Sequence, residues 1–121
     1  MPRKLGIKPG MLVSVLGVTD QWFLDELTTR VDDLHVGKVA RSSDVIIVAI
    51  NTPSDLTLFE RLQASLKKDG SIWAVRPKGV PAVSEATVMN AARDAGLVDV
   101  KVVRFSDTHT AEKFVRPKLA R

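Results

Sequence analysis

Along the chain, short apolar runs alternate with longer segments whose apolar residues recur every three or four positions. The run Val45-Ile-Ile-Val-Ala-Ile50 is β-branched, too short for an independent helix and free of polar alternation, which predicts a strand buried on both faces. Asn51-Thr52-Pro53 stops it. Thr52 suits an N-cap, Pro53 the first helical position and Asp55 the acid of a capping box, so a helix is expected from Pro53 to Lys68. On its wheel Leu58, Phe59, Leu62 and Leu66 share one stripe. Gly70 is the expected left-handed cap, and Ser71-Ile-Trp-Ala-Val75 is the next strand. A crossover of this length makes the two strands parallel and the unit right-handed.

The flanking segments extend this pattern. Pro2 to Gly10 reads as a basic lead-in whose Pro9-Gly10 suits a type II turn. Met11 to Leu16 is a strand, and Asp20 to about Val31 has helical spacing, with Thr19 as N-cap and Val18 and Phe23 as a hydrophobic staple. Asp32 to Ser43 is read as a loop, a short edge piece or an antiparallel strand, because so few residues precede the next strand that no parallel crossover is expected. After Val75, Arg76 to Pro81 forms a rigid polar connection. Ser84 then caps a helix running to Ala95 with Gly96 as its stop, its buried face Val88, Ala91, Ala92 and Ala95. Leu97 to Phe105 is a strand with Val98, Val100 and Val102 on one face. Ser106 to Thr110 is a hairpin loop, and Ala111 to Val115 returns antiparallel.

Composition narrows the chemistry. A chain of 121 residues is one domain, residues 1–121, able to bury roughly 65% of its unfolded surface. It has no Cys, which removes disulfides, thiolate metal sites and a Cys nucleophile, and its two His residues leave little for a metal centre. No apolar run approaches a membrane span, and Met1-Pro-Arg-Lys-Leu lacks the apolar core of a signal peptide, so a cytoplasmic protein that avoids membranes is expected. The net charge of +4 is uneven: positions 1–60 carry six basic and eight acidic residues, positions 61–121 twelve and six. Should Arg3, Lys4, Lys8, Arg116, Lys118 and Arg121 cluster, they would offer polyanions a diffuse and salt-sensitive surface. No aromatic platform accompanies them, so nucleic acid is not the expected partner.

The element order resembles the second half of class I S-adenosylmethionine-dependent methyltransferases, on the residues Asp44 to Pro53, Leu66-Lys-Lys-Asp-Gly-Ser-Ile-Trp73, and Ala91-Ala-Arg-Asp-Ala-Gly-Leu97 running into Val98 to Val103. Lys4-Leu-Gly-Ile-Lys-Pro-Gly10, Ile72-Trp73 with Pro77-Lys78, and Val115-Arg-Pro-Lys118 resemble a family of short uncharacterised bacterial proteins over essentially the full length. The resemblance implies an α/β fold: a three-layer Rossmann-like sandwich, its mostly parallel sheet closed by a C-terminal antiparallel hairpin strand. It also implies S-adenosylmethionine as the possible cofactor. Two features depart from the methyltransferase pattern. The loop Leu16-Gly17-Val18-Thr19-Asp20 has a single glycine, and no carboxylate is identified after the second strand to hold ribose hydroxyls. Asn51-Thr52-Pro53 resembles the Asn-Pro-Pro loop of amino-methylating members.

Candidate site residues follow from topology. If the first strand and the strand of Val45–Ile50 are neighbours whose helices leave on opposite faces, a crevice opens beyond their C-terminal ends. Gly17, Thr19, Asn51 and Thr52 would line it as cofactor-binding residues, with Trp22 or Lys78 as candidate rim contacts, although Trp22 is first read as covering the helix edge or a loop, and the two helix starts would favour a small anionic ligand. No catalytic or metal-binding residue is assigned. Asp107 and His109 share a hairpin tip as ordinary solvated polar residues, and His35 is read as a packing residue. The leading expectation is a non-catalytic module that binds a ligand or a protein partner. An S-adenosylmethionine- or nucleotide-binding enzyme is the alternative, and a weak non-specific nucleic-acid binder comes third.

Overall fold

The computed structural model describes residues 1–118. Six strands, β1 (Leu12–Leu16), β2 (Asp33–Val36), β3 (Ser43–Ala49), β4 (Leu66–Pro77), β5 (Val98–Arg104) and β6 (His109–Val115), form one sheet in the order β2-β1-β3-β4-β6-β5. The first four are mutually parallel, and β6 runs antiparallel between β4 and β5. Helix α1 (Gln21–Arg30) packs Phe23 and Leu27 on one face, against Val13, Val15, Val45, Ile47, Trp73 and Val75. Helices α2 (Leu58–Gln63) and α3 (Glu85–Asp94) pack Phe59, Leu62, Val88 and Ala92 on the other, against Ile46, Val48, Ile72, Ala74 and Phe114. This is the three-layer α/β sandwich expected, with the antiparallel strand inserted as anticipated. No helix is long and apolar enough to cross a membrane among the described residues.

The expected helix from Pro53 to Lys68 is shorter. A 3-10 turn, Pro53–Thr57, leads into α2, which ends at Gln63. Ser65 C=O then accepts the Ser43 N–H at 3.0 Å, drawing the chain into the sheet, and Leu66 begins β4. Leu66 remains in one apolar cluster with Phe59 and Leu62, so its burial was readable while its conformation was not. Gly70 is therefore not a helix cap. It lies inside β4 where the register with β3 jumps from Ser43↔Leu66 to Val45↔Ser71, and a Cβ there would sit 2.8 Å from both Asp44 O and Leu66 Cδ1. The glycine permits two backbones to close at an irregularity in the ladder.

Within segment 32–43 the short edge piece is the reading found, but its direction departs from expectation. Asp33–Val36 is a parallel edge strand beside β1, and the return to β3 uses only Gly37 to Ser42, without a helix. A four-residue strand leaves a short distance to retrace. The crossover is held by a closed set of bonds: Ser43 Oγ donates to Ala40 O at 2.6 Å, so Ser14 Oγ must donate to Ser43 Oγ at 2.8 Å while accepting the Ala40 N–H at 3.0 Å.

Three smaller corrections have local causes. Asp20, not Thr19, is the N-cap of α1. The Lys8-Met11 turn closes at 3.1 Å with Gly10 outside the left-handed region, so it is not type II. In β5 a bulge at Val100 separates Asp99↔Phe114 from Lys101↔Lys113, which puts Val98 and Val102 on opposite faces instead of in one row. The basic lead-in is part of the core: Leu5 and Ile7 are buried, Trp73 Nε1 donates to Leu5 O at 3.1 Å, and Arg30 Nε donates to Ile7 O at 2.9 Å. Of the expected basic cluster, Arg116 turns to the carbonyls of Gln63 and Lys67, and Arg121 lies outside the described residues.

Candidate functional site

Because β1 and β3 are adjacent and their following helices leave to opposite faces, the chain separates above their C-terminal ends. The resulting crevice, about 210 Å³, is lined by Gly17, Val18, Thr19, Asp20, Ala49, Asn51, Val75 and His109. Three of the four expected residues, Gly17, Thr19 and Asn51, meet there. Thr52 does not line it; its Oγ1 turns to Ser54 Oγ and Asp55 Oδ2, at 3.0 and 3.3 Å.

Gly17 has φ +83°, and a Cβ on it would lie 3.1 Å from Ala49 Cβ. Its missing side chain is thus used to pack β1 against β3, before any ligand is considered. The amides opposite are also engaged. One oxygen of Asp55 accepts from Asn51 N–H at 3.0 Å and from Thr52 N–H at 3.1 Å, the acid half of the expected capping box. Two donors that an incoming anion would need are answered from within the chain. Asp20 adds a carboxylate to the lining, and among the described residues no Lys or Arg lines the crevice.

Neither Trp22 nor Lys78 lines the crevice, and Trp22 takes the loop contact expected of a partly buried Trp. Trp22, 43% exposed, lays its ring on Phe105 and Phe23 with centroids 5.2 and 5.8 Å apart, so it covers the β5–β6 loop. Lys78 donates its N–H to Thr108 O at 2.8 Å, with its side chain in solvent. His109 was not anticipated in the crevice. It opens β6 opposite Pro77, its Nδ1 2.8 Å from Thr108 Oγ1, while Asp107 pairs with Arg104. The available signal was topological: a strand returning antiparallel beside β4 must start at the C-terminal end of β4. The strand β2 ends at Val36, followed by Gly37 and Lys38, so no carboxylate stands beyond it; Asp33 is at its other end, 3.0 Å from His35 Nε2.

An acid with a raised pKa lies elsewhere. Glu112, 1% exposed and on the sheet face opposite the crevice's Val75, pairs with Arg76 and leaves Oε2 without a partner. Burial raises its pKa, against the pull of Arg76. Among the described residues no group of three or more His, Asp or Glu could hold a metal.

The fold and crevice define a class I methyltransferase-like architecture, and solved structures agree. A SAM-dependent methyltransferase from Aquifex aeolicus superposes with TM-score 0.69 at 18% identity, covering 93% of this chain and 85% of that one. A candidate type 11 methyltransferase from Sulfolobus solfataricus gives 0.70 at 14%, covering 98% and 90%. The ribosomal protein L11 methylase of Lactobacillus delbrueckii subsp. bulgaricus gives 0.62 at 14%, covering 94% and 73%. At these identities the likeness is one of fold. Among proteins of curated function none matches the chain in sequence. The chain belongs to the family described as "Protein of unknown function (DUF3052)", matched over residues 2–118.

Proposed function

We propose that this domain is a non-catalytic binding module of the cytoplasm whose crevice takes a small hydrogen-bonding ligand of nucleoside type, without phosphate. The observation that carries this reading is the Asp55 carboxylate on the Asn51 and Thr52 amides, together with Asp20 in the lining and, among the described residues, no Lys or Arg beside it. Such a site repels anions and offers Thr19, Asn51 and His109 as hydrogen-bonding side chains. Its volume falls below the ~300–1,000 Å³ of typical small-molecule pockets, which supports a weak site.

The fold likeness favours a second reading, an S-adenosylmethionine-dependent enzyme. A thermal-shift panel of adenosine, S-adenosylmethionine, S-adenosylhomocysteine, ATP and phosphate separates the two. A ligand at 100 times its dissociation constant stabilises by about 2.7 kcal/mol, several degrees for a domain of this size. Adenosine and S-adenosylhomocysteine are expected to act only at high concentration, and phosphate not at all. Saturation by micromolar S-adenosylmethionine would favour the enzyme reading instead.

A further inference from the structure

At the C-terminal end of β4, on the sheet face opposite the crevice, a second cavity of about 220 Å³ is lined by Arg76, Gly79, Val80, Pro81, Ser84 and Glu85. Two opposite charges share this cavity without meeting. The Arg76 side chain is 11% exposed and uses only Nε, which donates to the buried Glu112. Its Nη1 and Nη2 have no hydrogen-bond partner among the described residues, and neither is a buried atom, so the guanidinium presents two donors while Glu112 fixes its plane. Glu85 opens α3, but the cap is supplied by Ser84, whose Oγ accepts the Thr87 N–H at 3.3 Å. The Glu85 carboxylate is exposed and has no hydrogen bond or ion pair among the described residues. An ion pair needs N···O within about 4 Å, so Arg76 and Glu85 hold their charges further apart than that around one cavity. Val80, 37% exposed, and Pro81 make the rest of the lining apolar.

We propose that this cavity binds a free α-amino acid with an apolar side chain, its carboxylate taken end-on by Arg76 Nη1 and Nη2, its ammonium by the Glu85 carboxylate and its side chain by Val80 and Pro81. A zwitterion answers both unpaired charges at once. A simple anion would meet Glu85 as a like charge and gain little from an Arg76 charge that Glu112 already offsets, and a simple amine would meet Arg76 as a like charge. Planar, two-pronged recognition of a carboxylate is what an arginine held by its Nε is suited to, and a lysine in its place would supply only a point charge. The cavity is smaller than the ~300–1,000 Å³ of drug-sized sites, which suits a ligand the size of a single amino acid.

The test is a backbone-amide NMR titration of the intact chain with L-leucine, run in parallel with 4-methylpentanoate, which lacks the ammonium, and 3-methylbutylamine, which lacks the carboxylate. L-Leucine is expected to shift the amides of Gly79, Val80, Ser84, Glu85 and Ala86 saturably and to leave those of Gly17 and Asn51 in place, and each analogue should bind severalfold more weakly. Glu85→Gln, at an exposed position, should weaken L-leucine severalfold and leave 4-methylpentanoate no weaker than before. Arg76→Lys, which keeps a cation beside Glu112, should weaken L-leucine and 4-methylpentanoate alike. No saturable shift at these amides with millimolar L-leucine, or equal affinity for L-leucine and 4-methylpentanoate, would overturn the proposal. Equal loss of both ligands in Glu85→Gln would overturn the role given to Glu85.

Discussion

Asp55 spends one carboxylate oxygen on two backbone amides and a hydroxyl, all in the turn that borders the crevice. Asp55→Ala should cost about 0.5–2 kcal/mol, the usual value of an N-terminal cap, read as a lowered urea midpoint. The same variant should gain phosphate binding, seen as new amide shifts at Asn51 and Thr52. Unchanged phosphate response would mean that those amides are not what excludes anions. At Gly17, Ala is expected to cost roughly 1–2 kcal/mol for the left-handed backbone alone, before its contact with Ala49. Glu112 gives a pH signature. Its folded pKa is raised above the unfolded value of about 4.5, so the native state binds the extra proton in the window just above 4.5. Stability therefore falls as pH rises through that window, opposite to an ordinary salt-bridged carboxylate. Arg76→Met, which leaves the buried acid uncompensated, should cost about 3–5 kcal/mol at neutral pH, with part recovered on acidification. A flat difference between variant and parent from neutral to acid pH would contradict it.

Among the elements, the crossover from β2 to β3 depends most on a few polar atoms. Ser14→Ala removes the acceptor of the Ala40 N–H and the donor to Ser43, at an expected 1–3 kcal/mol. Amide exchange should accelerate across Asp33 to Ser42 before the rest of the sheet; uniform acceleration would show that this crossover does not open by itself. The same segment shows where sequence reading stops. β1, β3 and the capping of the last helix were legible because apolar runs and Ser84, Gly96 and Pro53 act locally. The parallel placement of β2 was not, since it rests on a hydroxyl of Ser14 meeting residues far along the chain. The early end of α2 was hidden for the opposite reason. Leu66 serves the same apolar cluster from a strand as it would from a helix, so periodicity could not separate the two. The crevice itself was legible as a junction of Gly17, Thr19 and Asn51, while His109 required knowing where β6 begins.

At the scale of the molecule, the net charge of +4 suggests polyanion affinity, but Arg116 is turned to the backbone carbonyls of Gln63, at the end of α2, and Lys67, at the start of β4. Any binding to DNA or RNA should therefore be weak, independent of sequence and lost as salt is raised; affinity unchanged from low to high salt would contradict this. In the proposed ligand site above β1 and β3, Asp20 of the lining and Asp55 of the bordering turn select against anions. The most direct test of this proposal is a backbone-amide NMR titration of the intact chain with adenosine, S-adenosylhomocysteine and phosphate in turn. Adenosine and S-adenosylhomocysteine should shift Gly17 to Asp20, Asn51 and His109 with weak, fast-exchanging affinity, and phosphate should leave these amides in place. Phosphate shifts centred on Asn51 and Thr52, or nucleoside shifts confined to other parts of the molecule, would contradict the account.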